Sequence, residues 1–206
     1  MSKVFFTFVA TLIFISGFSQ SRTELSKKRS YYGISLGFVQ SSVILENDLP
    51  KGYRAYDGSG FNIGIISEIN FSKYFSLSPK FEVTFTDSRI ERNNLTKGKI
   101  VYRVLPISLD FMAHAIIKTG KSKLNPYLFI GPNYKKALKG PDKESIKWNE
   151  KSNIALDFGL GLELFFKKFI ISPGLRYSYG LSNISSLKDI DSIKMNSISL
   201  VFVFKG

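Results

Sequence analysis

The 206-residue chain has no cysteine and a single histidine, and its 16 acidic residues are outnumbered by 29 lysines and arginines. Without cysteine there is no disulfide scaffold, no thiolate zinc or iron–sulfur site, no thiol nucleophile and no lipidated N-terminal cysteine. One histidine rules out an all-imidazole metal site, and the sequence calls for no cofactor. The near-unbroken apolar stretch Val4 to Ile15 falls short of the roughly 18 residues that a membrane helix needs, and no other stretch approaches that length. Phe158-Gly159-Leu160-Gly161 resembles a dinucleotide-binding loop only superficially, because it lies inside a strand pattern with no helix after it. No phosphate loop, metal cluster or nucleophile elbow is present.

Lys3 ahead of the Val4 to Ile15 run, followed by Gly17-Phe18-Ser19, reads as a secretory signal cleaved after Ser19. Its removal lowers the formal charge from +13 to +12, because Lys3 is the only charged residue lost. Export suits a chain with no thiols to oxidise. Residues 1–19 are thus expected to be a signal peptide, 20–29 a polar periplasmic lead containing Arg22, Glu24, Lys27, Lys28 and Arg29, and 30–206 a β-barrel domain.

From Ser30 onward, apolar and polar residues alternate with period two, which is strand periodicity. Phe169 to Leu181, Asn153 to Phe166 and Tyr74 to Thr86 show it most clearly. Tyr31 to Ile44, Phe61 to Phe71, Ile100 to Ile117, Leu124 to Lys135 and Asn196 to Phe204 bring the expectation to eight strands. Several are ten residues or longer, the length that crosses a membrane rather than the roughly five to six of an ordinary strand. Connections alternate between short ones (Ser72-Lys73, Lys118 to Lys123, Lys167-Lys168) and long ones near Glu46 to Ser59, Asp87 to Lys99, Lys136 to Lys151 and Ser182 to Ser192. Short turns at one end and long loops at the other are the pattern of an all-β, up-and-down, antiparallel transmembrane barrel with periplasmic turns and extracellular loops.

A soluble, lipocalin-like carrier would also alternate, with its apolar face inward. Here that face is almost uniformly large while the other is Gly, Ser, Asn and a few charges, which suits a narrow lumen and a lipid-facing exterior. The aromatics Tyr32, Phe71, Phe75, Phe166, Phe169 and Phe204 fall at the short-turn side, and Tyr134, Tyr177 and Tyr179 towards the long loops, as interfacial girdles do. The expected lumen network is Glu68, Lys80, Glu82, Asp110, His114, Asp157, Glu163 and Arg176, with Asn62, Asn125 and Asn133. Buried charges of this kind must pair. Asp157 and Arg176 are expected to meet across one hairpin, and Lys80 to reach Glu68 or Glu82.

His114 is the sole candidate imidazole base. Ser108 and Asp110 lie too far along the strand for direct contact with it, which leaves a lipid-modifying barrel enzyme using a serine from another strand as the rival reading. The basic residues, Lys51, Arg54, Arg89, Arg92, Lys97, Lys99, Lys135, Lys136, Lys139, Lys143, Lys147, Lys151, Lys188 and Lys194, are read as a loop rim. Mixed with acids and lacking a stacking platform, they do not make a nucleic-acid groove. They suit anionic lipid head groups or an acidic partner instead.

Five runs carry a family resemblance: Gly60-Phe61-Asn62-Ile63-Gly64, Leu105-Pro106-Ile107, Asn125-Pro126-Tyr127 followed by Gly131, Asp157 through Gly159 and Gly161 to Glu163, and Pro173 through Gly180 to Ile184. Over about residues 30–206 the chain resembles the PorT-type outer-membrane β-barrel family of Bacteroidota. The resemblance implies a non-enzymatic eight-stranded barrel in the outer membrane. Its founding member is implicated in type IX secretion and gliding, so secretion-machinery proteins are expected among its partners. One departure is that Phe204 is followed by Lys205-Gly206, where such barrels often end on an aromatic residue.

Overall fold

A computed structural model describes residues 29–45, 50, 52–94, 98–119, 124–138, 146–148, 151–185 and 190–206. The expected signal peptide and nearly all of the polar lead lie outside the described residues. Eight antiparallel strands close into a barrel: β1 (Ser30–Leu45), β3 (Gly58–Asn70), β4 (Phe75–Thr86), β7 (Ile107–Lys118), β8 (Leu124–Ala137), β10 (Asn153–Phe165), β11 (Ile170–Gly180) and β12 (Ile193–Lys205). Each pairs with its neighbour in sequence, and β1 closes on β12 in a register that sets Gly33 against Lys205 and Leu45 against Ile193. No described residue is helical.

The faces follow the alternation. Tyr32, Ile34, Leu36 and Phe38 of β1 point outward, with Phe38 69% exposed, and Phe61, Ile63 and Ile65 continue the same belt on β3. Ser35, Asn62, Ser78, Glu82, Asp157 and Arg176 point inward and are buried. An exterior of large apolar side chains around a polar interior is the reverse of a lipocalin-like carrier, so the soluble-carrier alternative falls; such a surface is compatible with lipid and not with water.

The expected strand Ile100 to Ile117 is two elements. Leu105 adopts a left-handed backbone (φ 47°), strained for a residue with a branched side chain, and Pro106 supplies no N–H for pairing. The chain therefore breaks at Val104 to Pro106. Leu105, which in an unbroken Ile100 to Ile117 strand would share the outward parity of Ile107 and Phe111, is instead 1% exposed.

Before that break the chain belongs to a second sheet that the periodicity did not indicate. Its strands β2 (Tyr53–Tyr56), β5 (Arg89–Asn94), β6 (Gly98–Arg103) and β9 (Ile146–Trp148) come from three of the long connections and order as β2-β5-β6-β9, with β6 and β9 parallel. One face of this sheet, bearing Tyr53 and Ile90, packs with Val104, Leu105, Ile184, Ile190, Ile193 and Met195 into an apolar cluster at the long-loop end of the barrel. The connection after β11 is folded by Asn183, whose Oδ1 accepts from the backbone N–H of Ser185 (2.8 Å) and Ile193 (3.0 Å) while its amide donates to Asp191 O (2.6 Å).

At the other end the turns are tight. Phe166 N–H donates to Phe169 O across Lys167-Lys168 (2.9 Å), and Ser72 Oγ accepts from Tyr74 and Phe75 N–H in the β3–β4 turn.

Candidate functional site

The inward positions of seven of the eight strands bring five acids and five bases into the lumen, all but Lys80 in three tiers. Nearest the short turns, Glu68 of β3 and Glu163 of β10 face Lys118 of β7 and Lys205 of β12. Lys205 Nζ lies 2.5 Å from Glu68 and 2.6 Å from Glu163, Lys118 Nζ lies 2.9 Å from Glu163 and also bonds Glu68, and Asn125 donates to Glu163 at 2.8 Å. In the middle, Arg176 donates to Glu82 at 2.8 Å, and Ser35 Oγ donates to the other oxygen of Glu82 at 2.9 Å. Asp157 accepts from Ser178 Oγ (2.5 Å) and Asn133 Nδ2 (3.1 Å), with His114 Nε2 at 3.1 Å. Nearest the long loops, Asp110 accepts from Ser108 Oγ (2.6 Å) and Thr84 Oγ1 (2.9 Å), with Lys135 Nζ at 3.5 Å.

Three of the five bases were not among the residues the sequence pointed to. Lys118 was assigned to a turn, Lys135 to the loop rim and Lys205 to a tail beyond Phe204; all three are at least nine-tenths buried and point inward. The expected excess of acid over base in the lumen is therefore replaced by balance. The signal was available in parity. Lys118 shares the parity of Asp110 and His114, Lys135 that of Asn125, Gly131 and Asn133, and Lys205 is offset by one from the outward Phe204.

The expected pairings are partly re-sorted. Arg176 takes Glu82 as its close partner and stays 3.9 Å from Asp157. Lys80 makes no ion pair within 4.0 Å among the described residues and lies over the Phe129 ring, 5.6 Å from its centroid. Together with Ser172 and Tyr127 it lines a small cavity above the lowest tier, large enough for water-sized occupants only.

The motif glycines have a packing explanation. Tyr127 and Phe129 of β8 turn inward, and a Cβ on Gly161 would meet the Tyr127 ring at 2.3 Å, while one on Gly159 would meet Phe129 at 2.6 Å. A Cβ on Gly131 would strike Ala113 O at 2.0 Å, and one on Gly180 would strike Met195 O at 2.4 Å. Pro126 precedes the inward Tyr127 opposite Leu162. The small residues of β10 and β11 are thus the seat for two lumen aromatics. Phe129 in turn stacks on His114 at 4.9 Å.

The chemistry open to His114 follows from this packing. Its side chain is completely buried, one ring nitrogen is engaged with Asp157 and the other has no hydrogen-bond partner among the described residues. Ser178 bonds Asp157 and not the imidazole, so the order is serine, carboxylate, histidine, and no described serine is placed for activation by the base. No described group of His, Asp and Glu has the arrangement of a metal centre.

Sealed tiers inside a closed barrel with a lipid-compatible exterior define the class: a transmembrane β-barrel of the outer-membrane type. The family model for the outer membrane protein beta-barrel domain matches residues 18–186, and the chain belongs to that family. Fold and family together support an outer-membrane location. Among solved structures the chain is similar to Neisserial surface protein A (15% identity, 86% of this chain and 96% of that one, TM-score 0.58). It is also similar to the outer membrane protein OprG from Pseudomonas aeruginosa (14% identity, 87% and 97%, TM-score 0.54). The outer membrane enzyme PagL is more distant (12% identity, 82% and 97%, TM-score 0.41). No curated protein matches the chain.

Proposed function

We propose that this is a non-enzymatic outer-membrane barrel of the PorT-like kind, an accessory of type IX protein secretion or of envelope organisation. It is exported by the signal at residues 1–19 and orients its short turns to the periplasm and its long loops to the outside. The observation that carries this reading is the lumen. Its charges other than Lys80 are paired with one another and Lys80 lies over an aromatic ring, an apolar cluster covers one end, and eight strands leave no aqueous channel. Such an interior supports rigidity rather than transport. It leaves the outer surfaces, the loop-borne sheet and the periplasmic end, to meet secretion-machinery proteins and lipid. The motifs shared with PorT-type barrels support the secretion role in particular.

The test is deletion of the gene followed by location of C-terminally tagged cargo. Cargo stranded in the periplasm is the expected result, and normal secretion removes the secretion role. The rival enzyme reading has its own readout in the same strains: lipid A by mass spectrometry, for the deletion and for His114→Ala. An unchanged lipid profile in both is expected, since His114 is buried away from the lipid-facing surface.

A further inference from the structure

Among the described residues, the end opposite the long loops carries exposed cations and no exposed acid. The long-loop end mixes signs, with Arg89 bridging Asp87 and Glu91, and Lys99 also on Glu91. At the short-turn end one hairpin closes on Lys73 and another on Lys167 and Lys168, and Arg29 leads into β1 beside Asn70. All four are exposed, and none is in an ion pair among the described residues. The carboxylates nearest in sequence to Lys73 and to Lys167-Lys168, Glu68 and Glu163, are 1% exposed and turned into the lumen, where Lys118 and Lys205 occupy them. The connection from β7 to β8 carries Lys121 and Lys123 and no acidic residue.

Lys73, Lys167 and Lys168 sit within a residue or two of paired, partly exposed aromatics. Phe71 stacks on Phe75 at 5.7 Å, Phe166 on Phe169 at 4.8 Å, and Lys73 Nζ lies 4.9 Å from the Tyr74 ring centroid. Aromatic residues at strand ends mark the boundary between hydrocarbon and head groups, and a lysine beside them extends its ammonium to phosphate level. Two separate turns on the barrel rim, closing on Lys73 and on Lys167-Lys168 with no ion pair among the described residues, fit individual lipids better than one flat macromolecular surface.

We propose that this end binds phospholipids whose head groups are net anionic in the periplasmic leaflet, a reading that rests on the orientation given above. The test uses the whole protein reconstituted in vesicles of phosphatidylglycerol and phosphatidylcholine in equal amounts, with retained lipids counted by native mass spectrometry. Wild type is expected to retain phosphatidylglycerol over phosphatidylcholine. The triple variant K73Q/K167Q/K168Q, verified as a closed barrel by heat-modifiable migration, is expected to lose that preference by roughly tenfold or more, because each lysine near an anionic surface contributes a factor of about five. The long-loop pair R54Q/K136Q should keep it. Equal retention of both lipids by wild type, or unchanged retention by the triple variant, overturns the proposal, as does loss of preference in R54Q/K136Q. Orientation is read separately. The chain lacks cysteine, so K73C is a unique label site, and its reaction with an impermeant maleimide in intact cells would refute the orientation before any lipid is counted.

Discussion

Arg176 bears the middle of the lumen. It is 3% exposed, donates to Glu82 at 2.8 Å, and lies within 3.9 Å of Asp157. The guanidinium there bonds one strand's carboxylate, Glu82, while keeping its charge near another's, Asp157, a geometry that an ammonium does not reproduce. Replacing one partner of a buried pair strands the other charge, at a cost of about 3–5 kcal/mol, whereas replacing both with apolar groups is often near neutral. R176M should therefore lower the urea midpoint of the heat-modifiable band sharply, and E82L/R176M should recover much of the loss. A double variant as unstable as R176M would show that the pair is not what the site depends on. The acids of this network were readable from the sequence, because a carboxylate in the polar phase of a long strand has nowhere to go but inward. Three of its bases were not read, because lysines at strand ends look like loop or turn residues until parity is carried to the last position.

At the scale of elements, the barrel strands announced themselves by alternation, and the loop-borne sheet did not. β5 reads Arg-Ile-Glu-Arg-Asn-Asn and β6 Gly-Lys-Ile-Val-Tyr-Arg, too short and too charged to stand out. Their partners β2 and β9 arrive from other connections, one of them in parallel. Pairing between distant short segments leaves no local periodicity to detect.

Glu91 is the electrostatic centre of that sheet, with Lys99 Nζ at 2.8 Å and Arg89 Nε at 3.2 Å. The hydrogen bond from Lys99 is the main cause holding its carboxyl below the usual carboxylate range, and Arg89 adds to it. A depressed carboxylate contributes stability that is present above its unfolded value, about 4.3, and is lost as pH falls through its lower folded value. The protection factors of β5 and β6 amides, intrinsic pH-dependent exchange rates divided by the observed ones, should therefore be constant from neutral pH to about 5 and fall only in more acidic solution. E91Q should show the lowered protection already at neutral pH, and identical protection in E91Q and wild type would rule the interaction out as a tie for the sheet.

For the molecule as a whole, the decisive event is closure, when β12 meets β1 and the sheet loses its edges. Lys205 stands at that seam, opposite Gly33 in register, yet its ammonium reaches past β1 to Glu68 on β3 and across the lumen to Glu163 on β10. The residue that follows Phe204 is therefore part of the lowest tier of the lumen. In K205M two buried glutamates must share Lys118 alone, leaving about one uncompensated buried charge, for which a cost of about 3–5 kcal/mol is typical. The temperature at which the compact band converts to the unfolded one should fall clearly. Adding E163Q to K205M removes the surplus charge and should raise that temperature again, whereas E163Q in the wild-type background should lower it, because there it breaks a balanced set. If K205M alone matched wild type, closure would owe nothing to the lumen and would rest on backbone pairing along β1 and β12.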